Sequence, residues 1–146
     1  MILKIKKLNV NAIVPQRATI GSAGYDLCAC ISSDIKIAKN EIVKIPTGIA
    51  AEISPGNAAL LIFPRSGLAT TFGITLANSV GLIDSDYRGE IFVPLINLGD
   101  EEFTVKPNMR IAQLVVSPIL TPEVQVFPCL SDTFRGNGGF GSTGLS

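Results

Sequence analysis

The chain has 146 residues, with 12 Lys+Arg balanced by 12 Asp+Glu and neither His nor Trp. That length fits one domain, and a net charge of zero speaks against a nonspecific nucleic-acid binder, which needs a basic face. Without His there is no Ser-His-Asp or Cys-His nucleophile and no His-rich zinc site, so a general base has to be a carboxylate, a Lys, a Tyr or a Cys.

Ile, Val and Thr supply 37 of the 146 residues, and 14 Gly with 9 Pro interrupt the chain at short intervals. β-branched richness with frequent turn residues predicts an all-β fold. Leu3 and Ile5 alternate with Lys4 and Lys6, the pattern of an edge strand. The same basic stretch lacks the apolar run of a secretory leader, so none is expected. Residues 25–45 contain neither Gly nor Pro and admit two readings. Ile31, Ile35, Ala38 and Ile42 fall near helical spacing, whereas Leu27/Ala29/Ile31, Ile35/Ile37 and Val43/Ile45 alternate around a turn at 38–41. The abundance of Ile and Val favours strands. Further short apolar runs occupy 41–53, 59–63, 91–97, 103–105, 109–117 and 124–127, with Pro94 demoting its part of one run to an edge or a bulge. One short helix is expected around residues 66–71. Residues 131–146 carry five glycines between 136 and 144. Glycine loses much backbone entropy on ordering, so this reads as a tail that orders only when something binds it, after a core of residues 1–130.

A hydrophobic fraction of 47% against 16% charged residues is more apolar surface than one small domain readily buries. No run of about 18 apolar residues is present, so no spanning helix is expected. The surplus then predicts burial against copies of the same chain, in a cytoplasmic homo-oligomer without membrane or nucleic-acid partners. Cys28, Cys30 and Cys129 leave one thiol over in any disulfide scheme. Cys28 and Cys30 share one strand face and read as core filler.

Three segments could carry chemistry. The tail contains Gly136-x-Gly138-x-x-Gly141, a formal GxGxxG without the strand, helix and later acidic residue of a dinucleotide site. What remains is either an unstructured tail or a run of backbone N–H groups with Arg135, Ser142 and Thr143, which suits phosphate oxygens. Pro64-Arg65-Ser66-Gly67 puts an arginine, a hydroxyl and free N–H groups at a helix start, either an anion site or an ordinary N-cap by Ser66. Between Asn78 and Glu90, Gly81 and Gly89 bracket Asp84, Asp86, Tyr87 and Arg88 in what reads as a β-hairpin. Asp86 suits solvated turn chemistry; Asp84, just after Leu82-Ile83, is better placed as a held base.

Five segments stand in the order of the motifs of the trimeric dUTPase family, which the chain resembles. They are Ala23-Gly24-Tyr25-Asp26-Leu27, Pro64-Arg65-Ser66-Gly67-Leu68-Ala69, Gly81-Leu82-Ile83-Asp84-Ser85-Asp86-Tyr87-Arg88-Gly89, Arg110-Ile111-Ala112-Gln113-Leu114, and the run from Arg135 to Gly144. The resemblance implies a distorted jelly-roll β-barrel with one short helix, assembled as a homotrimer whose active sites lie at subunit contacts. It implies Mg2+-dependent hydrolysis of dUTP to dUMP and pyrophosphate, which limits uracil incorporation into DNA and supplies dUMP for dTMP synthesis. On this reading Asp84 orients and deprotonates the attacking water. Arg65, Ser66, Gly67, Gln113 and Arg135 hold the phosphate chain. Asp26 stands near the metal and acts through its bound water, with a purely structural role as the alternative. The backbone from Asn78 to Tyr87, including Gly81, Leu82 and Ile83, reads uracil, and Tyr87 packs under the deoxyribose. Phe92 floors the pocket or is plain core. The tail of residues 131–146 becomes a lid over a neighbour's site, with Phe140 closing over the base beside Gly141 and Ser142. Two rivals stand beside this: a dCTP deaminase of the same fold, whose catalytic glutamate would fall near Pro94, and a non-catalytic nucleotide-binding trimer.

Overall fold

Apolar residues recurring at every second position pair across the chain rather than along it. Residues 1–78 and 80–139 are described by the structure, a computed structural model. Among them run eleven strands and one helix: β1 (Ile2–Lys7), β2 (Tyr25–Cys28), β3 (Ile35–Ile37), β4 (Ile42–Pro46), β5 (Ile49–Ser54), β6 (Ala58–Pro64), α1 (Ser66–Phe72), β7 (Ile74–Leu76), β8 (Gly81–Ile83), β9 (Phe92–Asn97), β10 (Phe103–Val105) and β11 (Arg110–Pro118). They form four antiparallel sheets, ordered β1-β5, β10-β3, β2-β11-β6-β8 and β4-β9-β7. The expected barrel is therefore an arrangement of separate short sheets, jelly-roll-like rather than closed. Each sheet sends one face inward: Leu27, Ile37, Ile45, Ile49, Leu60 and Leu114 are all buried in one core.

β1 is the edge strand its alternation predicts, pairing with β5 alone. The ambiguous stretch 25–45 resolves into β2, β3 and β4, with Asn40 at φ 64° in the turn between the last two. The run 41–53 is two strands, broken at Gly48, where φ is 68° and a β-carbon would stand 2.7 Å from Cys30 Sγ. Pro94 contradicts its assignment to an edge, for β9 is the middle strand of its sheet. Pro94 lies opposite Lys44 of β4, while β7 has already ended at Leu76. A residue's N–H and C=O point to the same neighbour, so the missing N–H falls beyond β7, and the Pro94 carbonyl still accepts from Ala77 N–H at 2.8 Å.

The run 124–127 forms no strand. Ile119 N–H donates to Asn57 O at 3.1 Å, and residues 119–130 then run exposed, with Leu120, Val124, Val126 and Leu130 each about nine-tenths accessible. Alternation alone cannot make a strand without a neighbour to take its backbone groups. Among the described residues no helix is long and apolar enough to cross a membrane.

Candidate active site

A cleft of about 350 Å³ opens beside β8, and Asn78, Gly81, Leu82, Ile83, Asp84, Tyr87 and Phe92 all line it. The stretch is not a two-stranded hairpin. β7 joins β9 while β8 joins β6, so two strands adjacent in sequence enter different sheets. Gly81 permits this, since a β-carbon there would stand 3.0 Å from Ile62 Cβ on β6. β8 ends its sheet, so one edge of its backbone has no strand partner and is available to hydrogen-bond a flat polar ring.

Asp84 follows β8 directly and opens a turn in which Tyr87 N–H donates to Asp84 O at 3.2 Å. Its carboxylate is exposed and forms no hydrogen bond among the described residues. Tyr87 folds back over Gly89, where a side chain would collide with the phenol, and its hydroxyl donates to Glu90 O at 3.0 Å. Phe92 sits on the cleft rather than in the core, with Lys44 Nζ 4.4 Å from its ring centroid. Lys44, Ile62, Glu90, Ile91 and Pro94 complete the walls, and Glu90 Oε1 accepts Gly48 N–H at 2.7 Å. Lys44 escaped the sequence reading because it reaches the cleft from β4, in another sheet, leaving no local motif, whereas Glu90 stood in the 78–90 cluster without a role of its own.

A second group lies elsewhere, and none of it lines the cleft. Asp26 is paired with Gln113 across β2 and β11, and Gln113 with Phe63 across β11 and β6. Arg110 Nη1 donates to Asp26 Oδ2 at 3.2 Å, Arg65 Nε lies 3.5 Å from Asp26 Oδ1, and Arg65 Nη1 donates to Arg110 O at 3.1 Å. Arg110 was legible as a motif residue but not as the partner of Asp26. Ser66 is not the helix cap. Arg65 holds that position in extended geometry (φ −92°, ψ 127°), with no side-chain capping bond. Leu68 and Ala69 N–H both donate to Arg65 O. Ser66 and Gly67 are thus exposed in the first turn of α1. Beside this group, burial and then the charge of Asp26 push the Cys28 thiol up, as suits the filler role read from its neighbours.

Arg135 lies beyond the last strand, where Nε donates to Gly138 O at 2.9 Å, and it joins neither group. Phe140, Gly141 and Ser142 lie outside the described residues. A protein cage for Mg2+ does not fit the residues present. Both oxygens of Asp26 face guanidinium groups, and no three acidic or Cys side chains converge among the described residues. Mg2+ keeps water and phosphate ligands readily, so the described residues suit an ion that arrives with a bound phosphate chain.

The cleft, with its unpaired backbone edge and the Asp84 carboxylate, offers partners for a polar ring, and the separate arginine cluster offers partners for anionic groups. A family model described as dUTPase matches residues 10–144. A deoxyuridine 5'-triphosphate nucleotidohydrolase of Desulfitobacterium hafniense (strain DSM 10664 / DCB-2) is 51% identical over 133 residues, covering 91% of this chain and 88% of its own. One from Rickettsia felis is 50% identical over 144 residues, covering 98% and 97%. The solved dUTPase of Staphylococcus bacteriophage 80alpha with dUpNHpp is similar over 99% of both chains, with a TM-score of 0.85 and 28% identity. A mutant dUTPase from phage phi11 of S. aureus, which coordinates a structural Mg(II) ion, shares the fold at TM-score 0.80 and 22% identity, over 90% of this chain and 100% of that one. The chain belongs to the dUTPase family.

Proposed function

We propose that the chain hydrolyses dUTP to dUMP and pyrophosphate in a site completed by other copies of itself. The observation that carries the reading is the convergence of Asn78, Gly81, Leu82, Ile83, Asp84, Tyr87 and Phe92 on one cleft. Uracil enters along β8, whose free backbone edge bonds its polar rim. Cytosine would turn an amino group toward a backbone donor, and leaving that donor unpaired costs about 1–3 kcal/mol. On this reading the cleft leaves no room for thymine's methyl group, and Tyr87 lies under the deoxyribose, where a 2′-hydroxyl would clash.

Asp84 takes a proton from a water molecule, which attacks the α-phosphorus as the bond to the bridging α–β oxygen breaks and pyrophosphate leaves. In a chain without His, a carboxylate is the natural base near neutral pH, and the rest of phosphoryl transfer is positioning and charge neutralisation. Arg65, Ser66, Gly67, Gln113 and Arg135 supply that charge and those donors. Bound with the triphosphate, Mg2+ would supply further neutralisation of the phosphate oxygens, and Asp26 would reach it through water. The separation of the Asp26 group and Arg135 from the cleft supports a homotrimer in which one subunit gives the cleft, a second the Arg65 segment and a third the lid with Phe140, Gly141 and Ser142. A cytoplasmic enzyme of this kind limits uracil incorporation into DNA and supplies dUMP.

The test is pyrophosphate release from dUTP, dCTP, dTTP and UTP, with and without Mg2+. Release confined to dUTP and dependent on Mg2+ is expected. Ammonia released from dCTP would favour the deaminase, and binding without turnover would favour a non-catalytic trimer.

A further inference from the structure

The turn that carries Asp84 and Tyr87 is held from outside the cleft by a residue with no role so far. Arg88 Nη1 donates to two of its carbonyls, Ser85 O at 2.7 Å and Tyr87 O at 3.0 Å. Its Nε lies 3.6 Å from Glu52 Oε2 on β5. Glu52 Oε1 in turn accepts from Lys4 Nζ of β1 at 2.6 Å. One guanidinium thus ties the turn's backbone to the β1-β5 sheet, which takes no part in the cleft.

We propose that Arg88 is a positioning residue, whose grip on the Ser85 and Tyr87 carbonyls and on Glu52 sets the Asp84 carboxylate and the Tyr87 ring against the nucleotide. The inference rests on the dUTPase reading above. Three features favour positioning over plain surface stabilisation. The side chains of Arg88 and Glu52 are both solvent-accessible, and such pairs contribute little to stability. The bonds land on the backbone of the two residues between which Asp86 sits, not on a distant loop. The turn is otherwise closed by Tyr87 N–H to Asp84 O and by Tyr87 to Glu90 O, so Arg88 is the residue that ties its middle, Ser85 to Tyr87, to another sheet. The hydrogen bond and charge of Lys4 hold the Glu52 carboxyl below its ordinary range, with Arg88 a lesser cause.

A base displaced by about 1 Å can lose up to roughly a hundredfold in rate. Arg88→Ala should therefore lower kcat for dUTP about ten- to a hundredfold while KM moves less, and the preference for dUTP over UTP should fall with it. Tm should shift by no more than about 3 °C, as for other surface substitutions. Arg88→Lys, which keeps the charge and can donate to a carbonyl but lacks the planar fork, should recover part of kcat. Glu52→Gln should lower it in the same direction by less. Amide hydrogen exchange in the ligand-free protein supplies a readout independent of turnover: Asp86 and Tyr87 should exchange faster in Arg88→Ala. Wild-type protein inactive on dUTP would sink the dUTPase reading and leave the exchange result to decide the role of Arg88 in the turn. Active wild type with Arg88→Ala within about twofold of it in kcat, or exchange unchanged, overturns the positioning role. So does a loss of kcat that merely follows a loss of Tm.

Discussion

The phenol of Tyr87 lies over Gly89, and the space a side chain at 89 would need is already filled by the ring. The ring's position is thus set by a missing β-carbon as much as by its bond to Glu90 O. Gly89→Ala should push the ring out and reproduce the phenotype of Tyr87→Ala. In both, kcat/KM for UTP should rise relative to dUTP by about tenfold, with discrimination against dCTP changed less. If the dUTP/UTP ratio stays put in both variants, Tyr87 is a packing residue and not a gate.

Asp84→Asn is nearly isosteric and removes only the base. Because the carboxylate is exposed and bonds to nothing among the described residues, its loss should leave folding and dUTP binding intact. The deficit should fall in kcat, by roughly 10²–10⁴-fold. A variant keeping more than about a tenth of wild-type kcat would show that another group takes the proton.

Cys28 predicts an alkaline limit to stability. Its thiol is pushed above 9.0 by burial first and by Asp26 second, against weaker opposing pulls from Arg110 and Arg65. A group that ionises later folded than unfolded contributes stability that is whole below the unfolded value and disappears as pH climbs through the folded one. Wild-type Tm should therefore decline as pH passes 9.0, and Cys28→Ala should decline less steeply over the same range. Parallel Tm–pH curves for the two proteins would remove Cys28 as the cause.

Shared sites predict rescue between two disabled chains. Asp84→Asn full-length protein and wild-type chain truncated after Leu130 should each be nearly inactive alone. Dissociated and reassembled together, they form a whole site wherever a truncated chain gives the cleft and an Asp84→Asn chain gives the tail. Random equal mixing of a threefold assembly makes that roughly a quarter of sites. Mixed trimers seen by mass spectrometry but still inactive would mean that cleft and tail come from one chain.

What could be read in advance depended on how local the cause was. The edge character of β1, the turn at 38–41 and the helix after Pro64 follow from neighbours in sequence, and so they were legible. Partner choice is not local. Val124 and Val126 alternate as well as Val43 and Ile45 do, yet only the latter find a strand beside them. Likewise β7 and β8 read as the arms of one hairpin and instead join different sheets. Ser66 has the chemistry of a cap, but the chain stays extended only through Arg65 and places the serine one residue too late. In the site, residues within the 78–90 stretch were legible because they lie on β8 and the segments beside it. Lys44 was not, since only the pairing of β4 with β9 brings it there.

The exposed ribbon of residues 119–130 has a last consequence. Leu120, Val124, Val126, Phe127 and Leu130 stand in water on the single chain, and an unpaired, alternating apolar stretch is the usual seed of fibril growth. Pro122 and Pro128 cut it short. A proline has no N–H to give a stacked strand, so only the five residues between them can join a growing cross-β ladder, fewer than the six or so such ladders need. If subunits associate as proposed, a newly made chain can therefore expose this arm before it meets a companion without nucleating an aggregate, and replacing both prolines by alanine should promote precipitation.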